Sequence, residues 1–131
     1  MKRIVILVMM LMMVFGVASA AESTWEQTGE NDKLILYLNT SNIKTMQIDG
    51  YDIAKATVKH QYKQEYNNIA YSIENVWVNI DIKGFAIVYT EDYDSNGKLL
   101  DSMSYKYNGR WNRLPNQYWD KTIEEIIKRA N

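Results

Sequence analysis

The sequence predicts an α+β domain: an antiparallel β-sheet of about five to six strands, joined as meander hairpins, with one C-terminal α-helix packed on one face. Three observations lead there. Val76, Val78, Ile80 and Ile82 alternate with Trp77, Asn79 and Asp81, the period of two that marks a strand with one buried face. Hairpin signals follow at Lys83-Gly84 and Asn96-Gly97. From Asn116 onward the period lengthens, and Trp119, Ile123, Ile126, Ile127 and Ala130 form a helical stripe.

Taken in order, the chain opens with Lys2 and Arg3, an almost wholly apolar run from Ile4 to Val17, and the small residues Ala18-Ser19-Ala20. That is the pattern of a cleavable signal peptide over residues 1–20, with Ala21 as the mature start. The apolar run is shorter than the ~20 residues that span a bilayer, so no transmembrane segment is expected after cleavage. The single domain is then 21–131, or 131 − 20 = 111 residues.

Leu34 to Leu38 reads as a compact strand, and Asn39 to Asn42 as a polar turn. A further strand is expected over Ile43 to Ile48, closed by Asp49-Gly50. Tyr51 to Lys59 places Ala54, Ala56 and Val58 on one face and Lys55, Thr57 and Lys59 on the other. Gln61 to Asn68 lacks a clear period and reads as a loop. A two-residue loop at Lys83-Gly84 sets Ile82 opposite Phe85, Ile80 opposite Ile87 and Val78 opposite Tyr89, all apolar pairs.

Around Asn96-Gly97 a two-residue loop would put the apolar sets of adjacent strands on opposite faces. A three-residue loop, Ser95-Asn96-Gly97 with Gly97 left-handed, instead pairs Tyr93 with Leu99, Tyr89 with Met103, Ile87 with Tyr105 and Phe85 with Tyr107. It also sets Glu91 opposite Asp101, a like-charge pair that needs a cation or a wet edge. Asp94, Asn96 and Gly97 are thus structural turn residues.

Asp92, Asp94, Asn96 and Gly97 also spell the opening of an EF-hand loop. The motif needs a bidentate Glu at its twelfth position and flanking helices. Counting from Asp92 the twelfth residue is Met103, and both flanks read as strands. No metal site is expected, and a looser surface calcium site at Asp92, Asp94 and Asn96 is the alternative. In the C-terminal helix Asp120, Glu124 and Glu125 come early and Lys128 and Arg129 late, the order the helix dipole favours.

Composition bounds the function. Without Lys2 and Arg3 the mature chain has 15 − 2 = 13 basic against 16 acidic residues, a net charge near −3. No basic excess exists to neutralise phosphates, so nucleic acid is excluded as partner. The chain has no Cys, which removes thiol chemistry and lipidation at a mature N-terminal cysteine. All four Trp and all ten Tyr lie in the mature part.

Taken together, several segments resemble the surface-adhesin protein E family of exported bacterial proteins, over nearly the whole mature chain. They are Trp25, the run Tyr37-Leu38-Asn39-Thr40-Ser41-Asn42-Ile43, the hairpin Tyr93-Asp94-Ser95-Asn96-Gly97-Lys98-Leu99-Leu100, and Trp111 and Pro115 ahead of a 117–129 helix. The resemblance implies a periplasmic, cell-surface or extracellular location and, for the namesake, binding of host matrix proteins such as vitronectin and laminin. Family members commonly pair one Cys in the sheet with one at the end of the helix. Here the regions around Ile82 and Arg129-Ala130-Asn131 have none. Losing such a bridge costs ~2–5 kcal/mol, which packing must replace.

Catalytic signals are absent. His60 is the only histidine and reads as solvated at a strand end, and no G-x-S-x-G, P-loop or dinucleotide glycine pattern occurs. The chain reads as a non-enzyme without cofactors, which binds an extracellular matrix or envelope protein. The alternative is a periplasmic structural or accessory envelope protein with no adhesive role. Candidate binding residues are Tyr62, Tyr66 and Tyr71, whose rings suit recognition or simply cover the sheet edge. Trp77 either seeds a homodimer or is buried under the N-terminal strands. Arg110 and Arg113 either flank an exposed Trp111 facing an acidic partner or border a core plug.

Overall fold

The computed structural model describes residues 24–130, and the predicted signal peptide lies outside the described residues. The strands are β1 (Trp25–Glu30), β2 (Leu34–Asn39), β3 (Lys44–Ile48), β4 (Tyr51–Tyr66), β5 (Ile69–Asn79), β6 (Gly84–Tyr93), β7 (Leu99–Ser104) and β8 (Asn112–Arg113). One helix, α1 (Asp120–Ala130), follows. All pairings are antiparallel, in the order β1-β2-β4-β5-β6-β7. Eight strands stand where five to six were expected. The excess arises from β1, which adds an edge strand beside β2, and from the two-residue β8, which continues the line of β7 along β6.

Two hairpins turn through left-handed pairs. Asp49 (φ 52°) and Gly50 (φ 82°) join β3 to β4, and Asn67 (φ 51°) and Asn68 (φ 67°) join β4 to β5. Positive φ at both central residues is the geometry whose twist matches the flanking strands. The second hairpin corrects the expected loop at Gln61 to Asn68. Its residues lack an apolar period because neither face there is fully covered, yet β4 runs on to Tyr66.

The core forms where one sheet face meets α1. Leu36, Leu38, Ala54, Ala56, Val58, Val76, Val78 and Phe85 face Trp119, Ile123 and Ile126. Most of these sit at alternate positions of their strands, as the period of two requires. Thr28 on β1 and Thr122 on α1 are buried and share a hydroxyl hydrogen bond of 2.7 Å. Arg129 also donates to Glu26 at 2.8 Å, tying the last turn of α1 to β1. Residues 117–119, expected in the helix, form the turn that leads into it: the Asn116 carbonyl accepts from the Asp120 amide, Asn116 Oδ1 accepts from the Trp119 amide, and Asp120 Oδ1 accepts from the Asn116 amide.

Two registers differ from expectation. The β5–β6 hairpin pairs Val78 with Phe85 and Asn79 with Gly84, so its loop is Ile80 to Lys83 rather than Lys83-Gly84. Buried Asn79 accepts from the amides of Asp81 and Ile82 through Oδ1, which stabilises the wider turn. The shift moves each partner by four residues, an even number, so Val76, Val78, Phe85 and Ile87 keep their common face.

The second change has larger consequences. Beyond Val76↔Ile87 the next pair is Asn75↔Tyr89, leaving Val88 as a bulge. Its carbonyl accepts from the Tyr105 amide at 2.9 Å. One extra residue reverses facing, so Tyr89, Glu91 and Tyr93 leave the face of Phe85 and Ile87. A further bulge at Leu100 keeps Tyr93↔Leu99 but gives Thr90↔Met103 and Asp92↔Asp101 in place of Tyr89 with Met103 and Glu91 with Asp101. The like charges stand near the exposed edge strand, and Ser72 donates to Asp92 at 2.6 Å.

Candidate functional site

The sheet face turned away from α1 is the candidate site. Register aligns its side chains in rows: Gln61–Tyr71–Tyr93–Leu99, Tyr37–Lys59–Ile73–Glu91–Ser102, Thr57–Asn75–Tyr89–Ser104 and Lys44–Lys55–Trp77–Ala86. Neighbours along a row stand close enough for their side chains to interact. The Tyr71 and Tyr93 rings stack at 5.0 Å with 13° between planes. The Lys59 ammonium lies 4.7 Å from the Tyr71 ring centre and 5.9 Å from that of Tyr37, a cation–π geometry.

Glu91 accepts from the hydroxyls of both Tyr89 and Tyr93 at 3.0 Å. Removal from water, then the hydrogen bond to Glu91 and its charge, hold the Tyr93 phenol above the ordinary tyrosine range. The belt therefore presents half-buried aromatic rings with their polar ends already oriented.

One corner of this face is covered by the chain after β7. Tyr107 packs on Trp77 at 5.7 Å and on Trp111 at 5.3 Å. A Cβ on Gly84 would stand 2.8 Å from that of Trp111, so only glycine admits this crossing. Trp77 is thus half-covered by the C-terminal connection, not by the N-terminal strands that were one of its two expected settings.

The predicted binding residues do not converge. Tyr71 and Trp77 lie on the helix-free face. Tyr62 opposes Leu34 on the other face, and Tyr66, largely exposed near the hairpin tip, stacks with it at 6.4 Å. Arg110 and Arg113 are exposed at the opposite end, with Arg113 on β8 opposite Gly84. Among the described residues neither arginine makes an ion pair. Tyr37, Lys59, Tyr89, Glu91 and Tyr93 were missed as site residues. Lys59 was visible on the polar face of its strand and Tyr71 only as one of three ring-bearing loop residues, and nothing local announces the Val88 bulge that turns Tyr89 and Tyr93 toward them.

His60 is a second correction. Its side chain is only 11% exposed, not solvated. Nδ1 stands 3.0 Å from the Tyr118 hydroxyl, Nε2 meets the Glu74 carboxylate, and the ring packs edge-on against Trp119 at 5.4 Å. Burial foremost, then the charge of Glu74, pushes the Tyr118 phenol well above its usual value. Burial, followed by the charges of Asp92 and Glu74, also raises Tyr62. Both imidazole nitrogens are engaged and the nearby Ser72 hydroxyl donates to Asp92, so this cluster ties β4 and β5 to the residues leading into α1.

At the predicted turn, Gly97 has φ 80° and Asp94 Oδ1 accepts from the amides of Asn96 and Lys98 at 2.9 Å. The Asp94 amide donates to the Lys98 carbonyl across the three-residue loop. Asp92 lies on the helix side with Ser72, and among the described residues no group of three His, Cys, Asp or Glu side chains is placed to hold a metal. Among these residues no helix is long and apolar enough to cross a membrane. Comparison with known protein families, characterised proteins and solved structures finds no match.

Proposed function

We propose that this is an exported binding protein, resembling surface-adhesin protein E, that recognises a macromolecular partner through its helix-free sheet face. The partner is a host matrix protein or a component of the cell envelope. One observation carries the reading: the face not packed by α1 bears the Tyr71–Tyr93 stack, Lys59 across it, and Tyr89 with Tyr93 oriented by Glu91. Rings held in place lose little freedom on binding, and aromatic residues dominate the energetics of protein interfaces. The other face is committed to the core and the His60 network.

The test is adhesion of the mature chain to immobilised vitronectin, laminin and purified envelope fractions, comparing wild type with Tyr71→Ala/Tyr93→Ala. Loss of about tenfold or more in affinity by the double variant, with an unchanged fold, supports the reading. Equal binding of the two proteins refutes it. Protease shaving of intact cells then separates the partners: degradation points to a host molecule, and full protection to an envelope component.

A further inference from the structure

At the other end of the same face the register sets Lys44 directly opposite Lys55, and Lys55 directly opposite Trp77. Like charges facing each other across a strand pair destabilise it, yet among the described residues neither lysine has an ion-pair partner. Beside them lies a hollow of about 370 Å³, lined by the two lysines, Asn42, Thr57, Asn75 and Trp77. That volume is within the range of ligand pockets, roughly 300–1,000 Å³. The Thr57 hydroxyl donates to Asn75 Oδ1 at 3.4 Å, which leaves the Asn75 amide nitrogen free to donate outward.

We propose that this hollow binds an acidic saccharide unit, a pyranose carrying a carboxylate or sulfate group. The inference rests on the reading of the helix-free face as a recognition surface and names one chemistry it accepts. Each feature of the hollow has a counterpart on such a ligand. The two ammonium groups take the anion, relieving their mutual repulsion with charge-assisted hydrogen bonds. The part of the Trp77 indole that lines the hollow beside its contact with Tyr107, together with Val88, offers an apolar wall to the C–H face of the ring, while Asn42, Asn75 and Thr57 meet its hydroxyls. A bare anion would use the lysines but leave the aromatic wall idle. The overall negative charge of the mature chain disfavours a long polyanion anywhere except at a local cationic patch such as this one.

The experiment is calorimetric titration of the mature chain at low salt with three probes. They are a sulfated, uronic-acid-containing hexasaccharide, its desulfated and carboxyl-reduced form, and inorganic sulfate. The acidic hexasaccharide is expected to bind, with affinity falling as salt rises, and the neutral form to bind at least tenfold more weakly. Lys44→Gln and Lys55→Gln, both at exposed positions, should each weaken binding about tenfold without lowering the melting temperature. Tyr71→Ala/Tyr93→Ala should bind the hexasaccharide as wild type does, even where it abolishes adhesion to a macromolecule.

No binding by the wild type, equal binding of the neutral form, or sulfate binding as tightly as the hexasaccharide would each overturn the proposal. So would binding that survives both lysine substitutions. Loss in the tyrosine variant with the lysine variants unaffected would move the site to the tyrosine belt, also against it.

Discussion

The hydroxyl pair that joins α1 to β1 offers a test with a definite sign. Thr28 and Thr122 are 2% and 0% exposed, 2.7 Å apart, and Thr28 Oγ1 also lies 3.5 Å from the Leu36 carbonyl. The geometry reads as a one-way chain in which Thr122 donates to Thr28 and Thr28 donates onward to Leu36. Thr122→Val leaves Thr28 its carbonyl acceptor, so the cost should be about 1 kcal/mol. Thr28→Val strands the Thr122 hydroxyl without that partner, and a buried unpaired hydroxyl costs about 1–3 kcal/mol. Replacing both leaves no orphan hydroxyl, and such double changes are nearly neutral. The double variant should therefore be more stable than the sum of the single losses by roughly 2–4 kcal/mol, a coupling expected only of groups in contact. Urea melts of the four proteins measure it, and roughly 1 kcal/mol is a visible fraction of a domain's 5–15 kcal/mol. Single effects that add to within about 0.5 kcal/mol would refute direct bonding of the two hydroxyls.

Other outcomes follow from particular contacts. Gly97→Val should cost about 1–2 kcal/mol, since φ is 80° there, and calcium should leave the melting temperature of wild type and variant alike; a substantial calcium-induced rise would restore the metal reading. Gly84→Ala should lose about 1–3 kcal/mol in denaturant melts, because its Cβ would lie 2.8 Å from that of Trp111; an unaffected variant would mean the connection does not cross there.

Alkaline stability tests the His60 cluster. The folded-state pKa of Tyr118 is raised, so its contribution is intact below the unfolded tyrosine value near 10 and is lost as pH climbs toward the folded value. Tyr118→Phe should make stability fall less steeply above about pH 10, by up to one proton's worth of slope; an identical slope would refute burial of that phenol.

Much of the scaffold was legible because strand periodicity and turn chemistry are local. Ala54, Ala56 and Val58 alternate inward, the three-residue loop at Ser95-Asn96-Gly97 stands as expected, and Ile123 and Ile126 mark the buried side of α1. Parity also survived a wrong loop length: the β5–β6 hairpin opened at Ile80 to Lys83, yet Val76 and Val78 still faced Phe85 and Ile87. The site was less legible. His60 looked like a solvated strand end because its partners, Glu74 and Tyr118, come from β5 and from the turn before α1.

By itself the sequence determined the antiparallel pattern, the amphipathic helix, the left-handed glycine turn at Gly97 and a cysteine-free, tyrosine-rich domain. Each of these depends on residues within a few positions of one another, where backbone sterics and apolar spacing decide. Only the tertiary structure decided which way Tyr89 and Tyr93 point, that Trp77 lies beneath Tyr107, and that Lys44 meets Lys55. One residue of slippage reverses every side chain beyond it. The Val88 bulge that does so is set where the Tyr105 amide, from the chain beyond β7, takes the Val88 carbonyl.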